Sequence, residues 1–238
     1  MKKLGVIVAM DKELAQLRSL LDDATTERHN HKDFVIGRIG NHEVVLQQCG
    51  IGKVNSAIGA VEMIDNYHPD LIISTGCAGG ADTALNPLDV VVASECVYHD
   101  VYCGDNASYG QVIGMPPTFK AAADLVEKAL TVEMPEGAKI VNGLTVSGDW
   151  FVDSRQKMQD IISKFPNATA VDMESRIKDN GWRNCGYGRE KTIQFYKMGK
   201  KQKRTAGDHL CGIYDNSAVI AVCIYLSAFC RDGKIQFL

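Results

Sequence analysis

A chain of 238 residues, 45% apolar and 23% charged, is long enough to bury one sizeable core, and a single domain over residues 1–238 is expected. The formal charge of −3 and isoelectric point near 6.1 give no global case for a nucleic-acid or anionic-membrane partner. The eight cysteines form no CxxC pair and accompany no secretory signal, so they read as reduced thiols of a cytosolic protein. In chain order, Met1-Lys2-Lys3 before Leu4–Met10 imitates a signal peptide until Asp11, Lys12 and Glu13 interrupt it, and Leu4–Ala9 is predicted as a strand buried on both faces of a largely parallel sheet. A helix follows from Asp11 to about Leu21, with Leu14, Leu17, Leu20 and Leu21 at helical spacing and Asp11 as its N-cap. Glu13 in its first turn either complements the helix N-terminus or serves a site at the sheet's carboxyl edge.

Phe34–Ile39 and His42–Leu46 flank Gly40-Asn41 as a hairpin. Cys49-Gly50-Ile51-Gly52-Lys53-Val54 enters a small-residue helix that runs to about Tyr67. The lysine after glycines imitates a phosphate loop, but the first Gly and the closing Ser/Thr of that motif are missing, so the glycines are assigned to a close backbone approach. Asp70–Thr75 is a buried strand that runs into Gly76-Cys77-Ala78-Gly79-Gly80, five small residues that leave room for a ligand against backbone amides. Leu88–Ala93 continues the sheet. His99-Asp100 is taken as a structural hydrogen-bond pair in preference to a metal or acid–base pair, because no second His or Cys stands at ligand spacing. Tyr102–Pro117 is a long loop, Phe119 to about Leu130 a helix, and Lys139–Val146 a strand ended by Ser147-Gly148-Asp149-Trp150-Phe151-Val152. The tandem aromatics suit either a core-facing turn or a sandwich around a flat base.

After a helix from about Ser154 to Phe165, the apolar approach Thr169-Ala170-Val171 delivers Asp172-Met173-Glu174-Ser175 to the carboxyl edge, where open α/β sheets carry their sites. A carboxylate there can accept both hydrogens of a vicinal diol while the thioether of Met173 packs on an apolar ring face. Up to Ser175 the alternation is regular, and predicts an open α/β sheet with helices on both faces.

The ordered set Ala9–Glu13, Cys49–Val54, Thr75–Gly80, Tyr98–Asp100, Ser147–Asp149 and Val171–Ser175 resembles the 5'-methylthioadenosine/S-adenosylhomocysteine nucleosidases of the nucleoside phosphorylase superfamily. The resemblance covers residues 1–175. It implies a three-layer α/β/α sandwich with a mixed, largely parallel central sheet, a homodimer, and hydrolysis of the N-glycosidic bond of adenine thionucleosides without metal or cofactor. It further implies that Glu13 activates the attacking water and Glu174 holds the ribose hydroxyls. Met10, Ile51 and Met173 would line the sugar and thioalkyl pocket, Ala78 and Gly79 would lie beside the base, and Phe151 and Val152 would contact the purine. The loop around Met115-Pro116 resembles the arm that closes the partner subunit's pocket.

Beyond Ser175 the chain departs from that family. Arg176–Arg204 holds ten basic residues against Asp179 and Glu190, a local charge of +8 that leaves −11 on the remainder. The atypical segment, residues 176–215, is either an interaction arm for a polyanion or a tail that has left the family's fold. The acid expected to protonate the leaving purine falls at no residue of the right spacing; Asp208 and Asp215 come late, and Asp208 is carried as the candidate. Competing expectations are a phosphorylase of the same fold and a catalytically weak nucleoside-binding protein.

Overall fold

The computed structural model describes residues 1–175 and the backbone of one further strand, 191–198. Strand β1 (Lys3–Val8) lies centrally and parallel to both β4 (His42–Gln48) and β5 (Leu71–Gly80). On one side β4 continues antiparallel into β3 (Lys32–Ile39) and β2 (Asp22–His29). On the other side, β6 (Val90–Tyr98), β8 (Ile140–Ser147) and β9 (Ala168–Asp172) run parallel to one another, and the two-residue β7 (Phe119–Lys120) pairs with β6. Strand β10 (Lys191–Met198) lies between β5 and β6, parallel to the first and antiparallel to the second.

Side-chain alternation along β1 explains the layers. Leu4, Val6 and Val8 share one core with Leu17 of α1 (Asp11–Arg18) and Leu125, Val126 and Ala129 of α3 (Ala123–Leu130). Ile7 faces the opposite core with Phe34, Val45, Ile72 and Met63, Ile64 and Tyr67 of α2 (Lys53–Tyr67). A Cβ at Gly5 would stand 3.1 Å from Met63 Cγ, so glycine there lets α2 settle close to the sheet. Helix α4 (Arg155–Lys164) covers β6, β8 and β9 through Ile161 and Met158, its first turn capped by Ser154, whose hydroxyl accepts from the Lys157 N–H. The mixed, largely parallel sheet between helical layers agrees with the sandwich expectation.

Several local expectations are corrected. The sheet is not open at the site: Gly79 and Gly80 of β5 pair antiparallel with Val171 and Ala170 of β9, while β10 joins β5 to β6, so β5, β10, β6, β8 and β9 form a closed ring. Helix α1 ends at Arg18, not Leu21; Leu20 and Leu21 still pack on the core as the chain turns into β2, whose polar and mostly exposed sequence carries no strand alternation. Phe119 begins no helix, because its backbone pairs with Cys96 and α3 starts only at Ala123. Strand β10 lies within the basic segment, where no apolar period announced it. Asp208 and Asp215 lie outside the described residues.

Candidate active site

The carboxyl ends of β1, β4, β5, β6, β8 and β9 meet, because β5 crosses β9 at Gly79–Val171 and the register sets Tyr98, Ser147 and Asp172 side by side. Glu13, one turn into α1 after β1, is 3% exposed. Its Oε2 accepts from the backbone N–H groups of Ala9 and Met10, both at 3.0 Å, and its Oε1 from that of Cys77 at 3.0 Å. Three N–H donors from two strand ends hold the carboxylate in one orientation. The glycines of β5 make this possible: a Cβ on Gly76 would lie 2.8 Å from Glu13 Oε1. Glu13 is therefore more than a charge beside a helix N-terminus.

Glu174 reaches the same cluster of strand ends from β9. Its Oε1 accepts from Gly52 N–H at 3.0 Å and its Oε2 from Met173 N–H at 3.3 Å, and its carbonyl accepts from Ser56 Oγ at 2.9 Å. Gly52 is the N-cap of α2 with φ 98°, a conformation that requires glycine, and it supplies no side-chain cap. Carboxylates from other elements cap α2 instead: Glu174 takes the N–H of Gly52, and Asp149 takes that of Lys53 at 2.8 Å. Asp172 is buried below Glu174, accepting from its N–H at 3.3 Å and from the hydroxyl of Ser175.

The other expected site residues fall around these carboxylates. Met10 precedes α1 and Met173 lies between Asp172 and Glu174, both half-buried, while Ile51 is exposed in the loop before Gly52. Ala78 and Gly79 lie at the carboxyl end of β5, and among the described residues a Cβ placed on Gly79 would meet only ordinary contacts, the nearest Met158 Cε at 3.7 Å. Trp150 and Phe151 are 46% and 49% exposed, which sets aside the core-facing reading of the tandem aromatics. Val152 packs on the α4 core beside them.

His99 and Asp100 do not form the expected pair. The Asp100 carboxylate accepts from Lys53 Nζ and from Asp149 N–H, whereas both ring nitrogens of His99 are buried without a hydrogen-bond partner among the described residues. Burial pushes the His99 pKa down, against the pull of Asp100 and Asp172. Lys53 is no phosphate-loop lysine: at the first turn of α2, its ammonium is engaged by Asp100 at 2.8 Å and Asp149 at 3.6 Å.

The sequence profile of the phosphorylase superfamily matches residues 3–176. The chain belongs to the phosphorylase superfamily. A superfamily relative, the 5'-methylthioadenosine/S-adenosylhomocysteine nucleosidase of Bacillus thuringiensis (strain Al Hakam), is 41% identical over 177 residues, 73% of this chain and 76% of that one. Among solved superfamily structures, the 5'-methylthioadenosine/S-adenosylhomocysteine nucleosidase of Colwellia psychrerythraea 34H in complex with adenine superposes with a TM-score of 0.86 at 28% identity, covering 95% of this chain and 93% of that one. The Neisseria meningitidis nucleosidase in complex with methylthio-immucillin-A gives a TM-score of 0.85 at 27% identity, with coverage of 96% and 98%.

Proposed function

We propose that this chain is a hydrolase that cleaves the N-glycosidic bond of adenine thionucleosides, 5'-methylthioadenosine and S-adenosylhomocysteine, to adenine and a thioribose. The observation that carries the reading is the pair of carboxylates fixed by backbone N–H groups at converging strand ends, Glu13 by Ala9, Met10 and Cys77, and Glu174 by Gly52. Similarity to nucleosidases over most of the chain supports it.

Departure of adenine leaves positive, oxocarbenium-like charge on the ribose, which fixed carboxylates stabilise without reorganising. Glu13 takes a proton from the attacking water, and Glu174 accepts from the ribose hydroxyls. Met10, Ile51 and Met173 give the sugar and thioalkyl group an apolar wall, while the purine lies against Ala78 and Gly79 under Phe151 and Val152. Protonation of the leaving purine is assigned to an acid beyond Ser175, with Asp208 as the candidate.

Hydrolysis is favoured over phosphorolysis by charge. Phosphate would need cations beside the nucleophile's position, yet Glu13 stands there, and Lys53 in the neighbouring loop is already engaged by Asp100 and Asp149. Incubation with 5'-methylthioadenosine tests the choice: free adenine should form at a rate that added phosphate leaves unchanged. Phosphate-dependent release would select the phosphorylase, and no release would leave a nucleoside-binding protein.

The protein works as a cytoplasmic homodimer in this reading. Val54, Ile58 and Val61 form an exposed apolar stripe at helical spacing along α2, next to the site and continued by Ile51 in the loop before it, and Tyr102 and Ile113 are exposed on the long loop that holds Met115-Pro116. A second copy would cover such a stripe. Among the described residues no helix is long and apolar enough to cross a membrane.

A further inference from the structure

Three loops at the carboxyl edge are fastened to one another by a closed ring of charge-assisted hydrogen bonds. Lys53 Nζ donates to both oxygens of Asp100 at 2.8 Å each. The Asp149 N–H donates to Asp100 Oδ2 at 2.8 Å, and the Lys53 N–H donates to Asp149 Oδ1 at 2.8 Å, which brings the ring back to its first residue. Lys53 Nζ also lies 3.6 Å from Asp149 Oδ2 and 5.0 Å from the centre of the Tyr98 ring. With 16% and 8% of their side chains exposed, Lys53 and Asp100 are no solvated surface pair, whose contribution would be near zero.

Each corner of the ring adjoins something the site uses. Lys53 follows Gly52, whose N–H donates to Glu174. Asp149 precedes Trp150 and Phe151. Asp100 follows His99, over which the backbone of Gly148 passes so closely that a Cβ there would stand 2.4 Å from the imidazole Cε1. The β4–α2 junction and the β8–α4 loop are thus held together twice, directly by the Lys53 N–H on Asp149 and through Asp100 of the β6 exit.

We propose that the Lys53–Asp100–Asp149 ring is a positioning device that fixes the spacing between the sugar subsite at Glu174 and the base subsite at Phe151. The proposal rests on the assignment of those two residues to ribose and purine. A nucleoside spans both subsites and gains from their fixed separation as a two-point ligand gains from a rigid link; free adenine occupies one and gains nothing. The ring acts on the substrate through its neighbours, so its loss acts chiefly on nucleoside affinity.

The test compares Lys53→Met, Lys53→Arg and the double variant Lys53→Met/Asp100→Leu with the wild-type full chain; the double variant strands no buried charge and keeps the fold accessible. Loss of the ring should raise KM for 5'-methylthioadenosine about 10- to 100-fold while the inhibition constant of adenine stays within about threefold, and Lys53→Arg should recover most of the difference. Equal losses for nucleoside and adenine, or an unchanged KM in every variant, overturn the proposal. A wild-type chain that releases no adenine overturns the function reading instead, and amide hydrogen exchange of the ligand-free proteins then decides the ring by itself. Residues 50–53 and 148–151 should exchange faster together in the double variant; acceleration of one segment alone, or of neither, overturns it.

Discussion

Replacing Glu13 by glutamine separates its chemical role from its structural one. From described residues the carboxylate accepts backbone N–H groups at both oxygens, those of Ala9 and Met10 at Oε2 and that of Cys77 at Oε1. A glutamine amide cannot accept at both ends, and the arrangement that loses least turns its nitrogen toward Cys77, keeping the Ala9 and Met10 contacts on the oxygen. One buried donor then loses its acceptor, at about 1–3 kcal/mol, and two charge-assisted bonds become neutral ones, at about 1 kcal/mol each. Relief from holding a buried charge offsets part of this, so Glu13→Gln should destabilise the chain by about 2–4 kcal/mol and lower Tm by roughly 5–15 °C. The catalytic effect is larger. Removal of a general base should lower kcat for 5'-methylthioadenosine by about 10²- to 10⁴-fold, with nucleoside Kd within about threefold of wild type. An adenine-release assay and titration calorimetry measure the two quantities on one preparation. Retained turnover, or a loss of binding that matches the loss of rate, would refute the role assigned to Glu13.

Glu174→Ala should weaken binding of ribosides by about 10- to 150-fold while sparing free adenine, the loss expected for hydrogen bonds to a charged acceptor; competition binding with both ligands checks it. Gly76→Ala places a Cβ 2.8 Å from Glu13 Oε1 and should cut kcat at least tenfold, whereas Gly79→Ala, whose Cβ would meet no described residue nearer than 3.7 Å, should melt close to wild type and lose adenine affinity. Stability should fall as pH drops below about 6.5, because His99 is held neutral by burial and binds its proton more readily once unfolded. His42 is shifted the same way, chiefly by burial, so His99→Phe should flatten part of the slope in a Tm series from neutral to acid pH, and an unaltered slope would contradict the assignment. Ile58→Glu on the exposed face of α2 should yield monomers by light scattering if that face is the dimer contact.

Elements with a strong apolar period were legible in the sequence: β1, β4, the core of β5, α2 and α4 stand close to where the residues placed them. Strand β2 was not, because among the described strands Asp22–His29 pairs with β3 alone and its side chains stay largely in water, which removes the alternation that marks a half-buried strand. Closure of the ring through β5 and β9 was equally hidden, since it is made by Gly79 and Gly80, whose sequence signals a turn or ligand space and not a pairing edge. In the site, Glu13 and Glu174 were found through ordered motifs, but their backbone partners depend on tertiary approach and have no sequence signature. Lys53, Asp100 and Asp149 stand 47 and 49 residues apart along the chain, and only the convergence of three strand ends makes them one group.

In the proposed mechanism Glu13 and Glu174 serve one nucleoside. A crystal structure of the full chain with methylthio-immucillin-A, the ligand of the Neisseria structure, tests it most directly. The Glu174 carboxylate should stand in hydrogen-bond contact with the sugar hydroxyls, and Glu13 in contact with a water beneath the same ring. A ligand bound away from either carboxylate, or a Glu13 with no path to that ring, would contradict it.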